Sequence, residues 1–431
     1  MKKNIIFYFS DQQRADTVNE TVMPNLSALA SEGTNYSNAF TCQPVCGPAR
    51  ACLQTGVNAT VNGCYKNNIS LPKDIKPLAE YFTDDGYQTA YVGKWHLASD
   101  SNFKCHKTAI PKDRLGGYEF FRGSDVLEFT SHGYDGYVFD EDGNKLDFTG
   151  YRVDAINDYA LEFLDNRDED KPFFLFISQL EPHHQNDRHC YEGYKPTVDD
   201  FNDYPIPEDL TGFKGDYVKS YPNYLSAINR IDYNLGKLVD KLKALGIYDD
   251  TYIVYSSDHG SHFKTRNLEY KRSCHEGSIH IPLVVKGGAY NTGKVNEKLV
   301  SLLDYPATFL SMAELDVPAS YQGFDLASSE RECVFVQISE SHCGRCVRTK
   351  DFKFSVKSAA FGYVMPTKNS SVYFEDYLYD LNADPFEKNN LIKNKKYDKI
   401  KQELKELLIK QMLNAGEKEP KILSSAYVKQ K

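Results

Sequence analysis

Strand-length apolar runs alternating with amphipathic helical segments predict an α/β protein with a large, mostly parallel central sheet flanked by helices. A smaller α+β region is expected at the C-terminus. Three observations carry this reading. Runs rich in Ile, Val, Phe and Tyr stand at residues 5–9, 89–92, 173–178, 252–256 and 281–286. Between the later runs, residues 224–245 place Leu225, Ile228, Ile231, Leu235, Leu238 and Leu242 on one helical face and stop at Gly246. Near Ser328 the character changes: strand-like runs at 333–338 and 352–356 precede a charged helical segment around 398–413. The expected division is a large α/β domain over residues 1–328 and a C-terminal α+β subdomain over 329–431.

Taken in order, the first run follows Met1-Lys2-Lys3-Asn4. It is too short for the apolar core of a signal peptide and leads straight into polar Ser10-Asp11-Gln12-Gln13-Arg14. It reads as a buried strand, and the expected location is cytoplasmic. A second amphipathic helix is expected over 152–164. Residues 104–150 and 184–215 are rich in Gly, Tyr and Asp without clear periodicity. They read as long loops, the kind that often bind substrate. The polar tail 418–431 is expected to fray.

With 431 residues and 41% hydrophobic content, the chain has ample material for a core. A net charge of −9 without a basic block argues against a dedicated nucleic-acid binder. No apolar run approaches a membrane span. Ten cysteines without an export signal read as reduced thiols. Cys343-Gly344-Arg345-Cys346 lacks a second pair at metal-binding spacing and reads as two ordinary loop thiols.

Chemistry concentrates at strand ends. Asp11-Gln12 follows the first run and Asp258-His259 follows the run at 252–256. In open α/β sheets ligands gather at the carboxyl ends of strands. One such Asp alone would read as a turn or cap, but together these residues suit one divalent cation. Cys46-Gly47-Pro48-Ala49-Arg50 precedes Ala51-Cys52-Leu53-Gln54-Thr55-Gly56. Pro48 suits a first helical turn, which puts Cys46 at a helix N-terminus, where free N–H groups favour anions.

This pentapeptide resembles the C-x-P-x-R signature of type I sulfatases, members of the alkaline phosphatase-like superfamily. Cys42 also begins a C-x-P but lacks the arginine in register. The resemblance extends along the chain. Phe9-Ser10-Asp11-Gln12 resembles the family's N-terminal metal motif, and Ser257-Asp258-His259-Gly260 its second one. Gly93-Lys94-Trp95-His96 resembles G-K-W-H, and Glu181-Pro182-His183 the mid-chain Pro-His element. Lys271 with His275-Glu276-Gly277 resembles the K-x-x-x-H-E-G element. Leu378-Tyr379-Asp380-Leu381, Asp384-Pro385, Glu387 and Asn390-Leu391 resemble the C-terminal signature.

The resemblance implies an alkaline phosphatase/sulfatase-like fold and a sulfuric ester hydrolase acting on an aryl or carbohydrate sulfate. It implies that Cys46 is oxidised by a formylglycine-forming maturase. One hydroxyl of the aldehyde hydrate would attack sulfur, and the second would expel sulfate. Arg50 would hold the hydrate. Lys94 and Lys271 would clamp the sulfonyl oxygens, His96 would act as base, and His183 would donate to the leaving oxygen. Asp11, Gln12, Asp258, His259 and modified Cys46 would hold one divalent cation. Calcium is favoured by family habit. Gln12 and His259 replace the commoner Asp and Asn, which leaves manganese, zinc, iron or magnesium open. With Gly47, they also keep a phosphonate monoester or phosphodiester substrate open. No nucleic-acid or membrane partner is implied. Roles for His184, His262, Arg266, Cys274 and His275 stay unassigned.

Overall fold

A computed structural model of the chain describes residues 2–328, 330–358 and 367–424. An 11-stranded sheet forms the body. Its strands are β1 (Asn4–Ser10), β2 (Thr34–Phe40), β3 (Gln88–Lys94), β4 (Phe120–Ser124), β5 (Ser131–His132), β6 (Asp135–Asp140), β7 (Lys145–Thr149), β8 (Phe173–Ser178), β9 (Thr251–Ser257), β10 (Leu283–Lys286) and β11 (Lys294–Ser301). The order is β11-β2-β10-β9-β1-β8-β3-β4-β6-β5, with β7 paired to β6.

The sheet is mixed where the sequence predicted mostly parallel pairing. Its centre, β9-β1-β8-β3-β4, is parallel. β10 runs antiparallel to β9 and β2, and β6 runs antiparallel to β4, β5 and β7. Much of the presumed loop 104–150 is therefore sheet. Its period-2 signal is short and broken by turn residues: β6 and β7 are joined around Asp142-Gly143, a dipeptide that favours hairpin turns. β2, Thr-Asn-Tyr-Ser-Asn-Ala-Phe, is too polar to stand out by hydrophobicity, although it pairs on both sides.

Alternation along β1 divides the core. Ile5, Phe7 and Phe9 pack on one face of the sheet, and Ile6 and Tyr8 on the other. The second face is covered by helices Arg152–Asn166 and Tyr217–Ala244. The long helix begins a turn and more before its expected start and accommodates Pro222. The first face is covered by helices Cys46–Thr55, Leu78–Asp84 and Tyr305–Met312.

The C-terminal region forms a five-stranded sheet, β12 (Val334–Ile338), β13 (Gly344–Arg348), β14 (Phe352–Lys357), β15 (Val372–Asp380) and β16 (Lys421–Leu423). Helix Asp398–Asn414 covers one face through Leu404, Leu408 and Met412. The other face packs on the large domain through Val334, Val336 and Cys346 against Phe40, Ile279 and Leu299. Two expectations change here. Cys346 lies on a buried strand, not a loop, with Cys343 buried just before it. The start of the expected fraying tail pairs in parallel with β15; residues 425–431 lie outside the described residues. All ten cysteines are free thiols. Among the described residues no helix is long and apolar enough to cross a membrane.

Candidate active site

The parallel register aligns the carboxyl ends of five strands. Ser10 pairs with Ser257, Phe9 with Ser178, Gly93 with Ser178, and Lys94 with Ser124. The residues just beyond, Asp11-Gln12, Asp258-His259, Trp95-His96, Glu181-Pro182-His183 and Asp125 to Glu128, therefore meet on one edge. Gly93 has φ +108°, and a Cβ there would lie 1.9 Å from the Ser178 carbonyl oxygen. Only glycine lets β3 approach β8 this closely.

Cys46 opens helix Cys46–Thr55, and Gly56 ends it in the left-handed conformation. Its side chain is buried at the bottom of a cavity of about 390 Å³, whose walls include Asn67, His96, Glu128, His183 and Lys271. Cys46 Sγ lies 2.9 Å from Lys271 Nζ, 3.2 Å from His259 Nε2 and 3.5 Å from Asp11 Oδ1. Burial alone would raise the thiol pKa. Lys271, Lys94 and His259 outweigh it and hold Cys46 well below the ordinary thiol range.

Ligand atoms of Asp11, Cys46, Asp258 and His259 lie within 4.8 Å of one another, all buried. His259 Nδ1 donates to the Gly260 carbonyl at 3.0 Å, so its lone pair sits on Nε2, facing the cluster. Asp258 Oδ2 is buried without a hydrogen-bond partner. Burial and the charge of Asp11 push Asp258 up to about 7. A divalent cation would relieve both conditions, and two carboxylates with an imidazole nitrogen suit one. Gln12, at φ +71°, lines the cavity beside the cluster. Its backbone N–H donates to Asp258 Oδ1 at 3.0 Å, and its amide nitrogen donates to the Tyr191 hydroxyl at 2.9 Å.

Arg50, expected to hold the hydrate, lies against the two carboxylates of the cluster. One nitrogen lies 3.0 Å from Asp11 Oδ2 and 3.4 Å from Asp258 Oδ2. The other donates to Ser178 Oγ at 2.6 Å and to the Lys94 carbonyl at 2.9 Å. The guanidinium is thus counter-charge and brace for the two carboxylates. Lys94 is fully enclosed, 2.9 Å from Asp11 Oδ2 and 3.3 Å from Glu128 Oε2, so Glu128 rather than Lys94 faces the cavity. His183 Nε2 lies 3.1 Å from Lys271 Nζ. Burial, then Lys271, lowers the His183 pKa, so its imidazole is neutral at neutral pH. His96, at φ +61°, lines the cavity with Nδ1 unpartnered.

The unassigned residues resolve into supports. His262 Nε2 donates to the Lys271 carbonyl at 3.1 Å. His184 stacks on Tyr270 at 4.3 Å in the cavity wall. Arg266 donates to the carbonyls of Phe386 and Glu387, away from the cavity. His275 contacts the Tyr379 hydroxyl at 3.1 Å, and Cys274 donates to Ser355 Oγ at 3.5 Å, both across the subdomain boundary. Sequence reasoning missed Glu128 and Asn67. Glu128 falls in the segment read as loop, and Asn67 Oδ1 earns its place only by accepting the Gly47 N–H at 2.9 Å. That contact also explains Gly47: a Cβ would lie 2.9 Å from Asn67 Oδ1.

A mixed sheet with a metal-suited carboxylate cluster and a nucleophile-bearing helix at its carboxyl edge defines a hydrolase of the alkaline phosphatase-like superfamily. The sulfatase family model matches residues 3–315, and the model described as N-sulphoglucosamine sulphohydrolase, C-terminal, matches residues 268–414. The chain belongs to the sulfatase family and is a sulfuric ester hydrolase. It is 27% identical to an ulvan-active sulfatase of Formosa agariphila, over 96% of this chain and 82% of the relative. It is 26% identical to an N-acetylglucosamine-6-O-sulfatase of Bacteroides thetaiotaomicron, over 94% and 86%. The fold superposes on a protein solved in complex with its substrate D-glucosamine-2-N,6-O-disulfate, with TM-score 0.81, 22% identity and coverage of 97% and 99%. It also resembles the phosphonate monoester hydrolase of Agrobacterium radiobacter, with TM-score 0.71, 19% identity and coverage of 96% of both chains.

Proposed function

We propose that this sulfatase hydrolyses a saccharide sulfate ester through a formylglycine made from Cys46 and one divalent cation, with calcium favoured. One observation carries the reading: Cys46 opens a helix 2.9 Å from Lys271 Nζ, inside the Asp11, Asp258 and His259 cluster. Asp11, Gln12, Asp258 and His259 would hold the cation, which would supply Lewis-acid stabilisation of negative charge. The aldehyde hydrate would supply one hydroxyl to attack sulfur and a second to release sulfate. Lys271 presents its ammonium to the sulfonyl oxygens and, through His183 Nε2, delivers the proton that the leaving alkoxide takes. His96, with an unpartnered ring nitrogen on the cavity wall, accepts the proton lost by the hydrate. Lys94, held between Asp11 and Glu128, keeps the base of the site positive. Arg50 holds Asp11 and Asp258 in register.

The names of the relatives support a sugar as the alcohol. The catalytic groups all lie in residues 1–328, taken as the α/β domain, with 329–431 as the C-terminal subdomain. Ten free thiols support a reducing, cytoplasmic setting. A maturase is the implied partner. Because Cys46 is buried, its action would precede closure of the fold.

The test joins mass and turnover. Chain co-expressed with a maturase should carry the aldehyde mass on the Cys46 peptide and release sulfate from glucosamine 6-sulfate and 4-nitrophenyl sulfate. Cys46→Ala should release none, whereas Cys42→Ala should stay active. Full activity with an unmodified Cys46 thiol would refute the aldehyde route. Faster cleavage of a phenyl phosphonate ester than of any sulfate would move the assignment to the phosphonate class.

A further inference from the structure

The C-terminal subdomain meets the residues around the site through the end of β12 and the turn after it. Gln337 N–H donates to the Cys42 carbonyl at 2.9 Å. Gln43 Nε2 donates to Ser339 Oγ at 2.7 Å. Asn67 N–H donates to Glu340 Oε1 at 2.6 Å, and Arg272 Nε donates to Glu340 Oε2 at 2.7 Å. Ser341 Oγ donates to the Arg272 carbonyl at 2.7 Å. Residues 337–341 thus bind the strand of chain leading to Cys46, the loop carrying Asn67, and the residue next to Lys271.

Glu340 is the centre of this set. Its two oxygens serve two different walls of the cavity, since both Asn67 and Arg272 line it. Beyond Asn67, the side chain oxygen of that residue accepts the Gly47 N–H, the peptide next to Cys46. Beyond Arg272 stands Lys271, whose ammonium meets Cys46 Sγ. The chain Gly47–Asn67–Glu340–Arg272–Lys271 therefore closes a ring around the reacting atoms. Backbone conformation agrees. Glu340 (φ +69°), Arg272 (φ +65°) and Asn68 (φ +60°) all lie in the left-handed region that non-glycine residues rarely adopt. Such conformations persist where the surroundings over-determine them, and they cluster at functional sites. Arg272 also pairs with Glu269, so its charge is committed to holding the turn and not to a ligand.

We propose that Glu340 is a positioning residue for the sulfatase reaction: its carboxylate sets the separation between the nucleophile helix and Lys271. This rests on Cys46 and Lys271 being the reacting pair proposed above. No substrate contact is assigned to Glu340. Its effect passes through Asn67 and Arg272, so it acts on the chemical step and not on sugar binding.

The experiment uses the full-length, maturase-treated enzyme, with aldehyde occupancy measured for each preparation. Glu340→Gln is isosteric: it keeps an acceptor for Asn67 and loses the ion pair with Arg272. Glu340→Ala loses both. With 4-nitrophenyl sulfate, Glu340→Ala should lower kcat roughly 10- to 100-fold, the scale of an ångström-level misplacement, while KM stays within about threefold. Glu340→Gln should recover a large part of that loss. Glu403→Gln, on the exposed face of helix Asp398–Asn414, should match wild type. A purely structural role would lower the melting temperature and the active fraction, and leave kcat per folded, aldehyde-bearing molecule unchanged. That result, or an unchanged kcat in Glu340→Ala, would overturn the proposal. Wild type that carries the aldehyde yet releases no sulfate would instead sink the underlying reaction.

Discussion

Lys271→Met removes the cation that meets Cys46 Sγ while keeping an unbranched side chain of similar length. Lys271 Nζ lies 2.9 Å from Cys46 Sγ, 3.1 Å from His183 Nε2 and 3.2 Å from His259 Nε2. Among the described residues no other lysine or arginine is in hydrogen-bond contact with Cys46: Lys94 is turned to Asp11 and Glu128, and Arg50 to Asp11 and Asp258. Lys94 still acts on Cys46 through its charge, but no hydrogen bond from it replaces the one that is lost. Removing one preorganised donor from a water-poor site costs roughly 2.7–4 kcal/mol of transition-state stabilisation, or about 10²–10³ in kcat. His183 also loses the group that donates to it, so the largest effect is expected on substrates with poor leaving groups. Sugar sulfates should suffer more than 4-nitrophenyl sulfate, whose phenolate leaves without full protonation. The assay is sulfate release by both substrates, normalised to aldehyde content by mass spectrometry and to folded fraction by thermal melting. A kcat loss under tenfold, or an equal loss on both substrates, would refute the assignment of Lys271 to charge and proton delivery.

Two further outcomes follow from burial and charge. Asp258 in the metal-free protein is held near 7 by burial and by Asp11, so folding takes up a proton between the ordinary carboxylate range and about 7. Stability from this source is full below the unfolded pKa and is lost as pH rises through about 7. Chelator-treated protein that carries the aldehyde, and so lacks the oppositely titrating Cys46 thiol, should melt lower at pH 8 than at pH 6, and added calcium should raise the melting temperature more at pH 8; a calcium effect that shrinks with rising pH contradicts the metal assignment. Ile231→Ala, in the buried stripe of helix Tyr217–Ala244, should cost about 2–5 kcal/mol by denaturant titration. Its kcat per folded molecule should equal wild type, because the stripe packs on the sheet face opposite the nucleophile helix.

Much of the fold was legible because its signals are local. Residues 5–9 and 173–178 declare themselves as strands by continuous apolar character, as expected of parallel strands buried on both faces. Helix Tyr217–Ala244 declares itself by spacing. The strands that escaped notice are β2, β4 to β7 and β11 in the large sheet and β13, β15 and β16 in the small one; β2 and β4 to β7 are polar or broken by Gly and Asp, and become strands by finding partners at the flanks of the sheet. Of the site, Cys46, Asp11, Asp258, His259, His96, His183 and Lys271 could be named because each stands in a short motif. Glu128, Asn67 and Glu340 stand in none. Each matters through a partner, Lys94, Gly47 or Arg272, that the chain brings near only after folding.

By itself, the sequence determined which chemical groups are present and that they would collect at strand ends. Covalent neighbours, periodicity and motif order are properties of the chain before it folds. The tertiary structure decided the division of labour. Arg50 lies against Asp11 and Asp258, Lys94 is enclosed while Glu128 faces the cavity, and the C-terminal subdomain bonds to two residues of the cavity wall through Glu340. The physical reason is that Coulomb and hydrogen-bond energies depend on distance and burial. Those distances, between residues tens to hundreds of positions apart, are set by strand order and by the docking of the small sheet on the large domain.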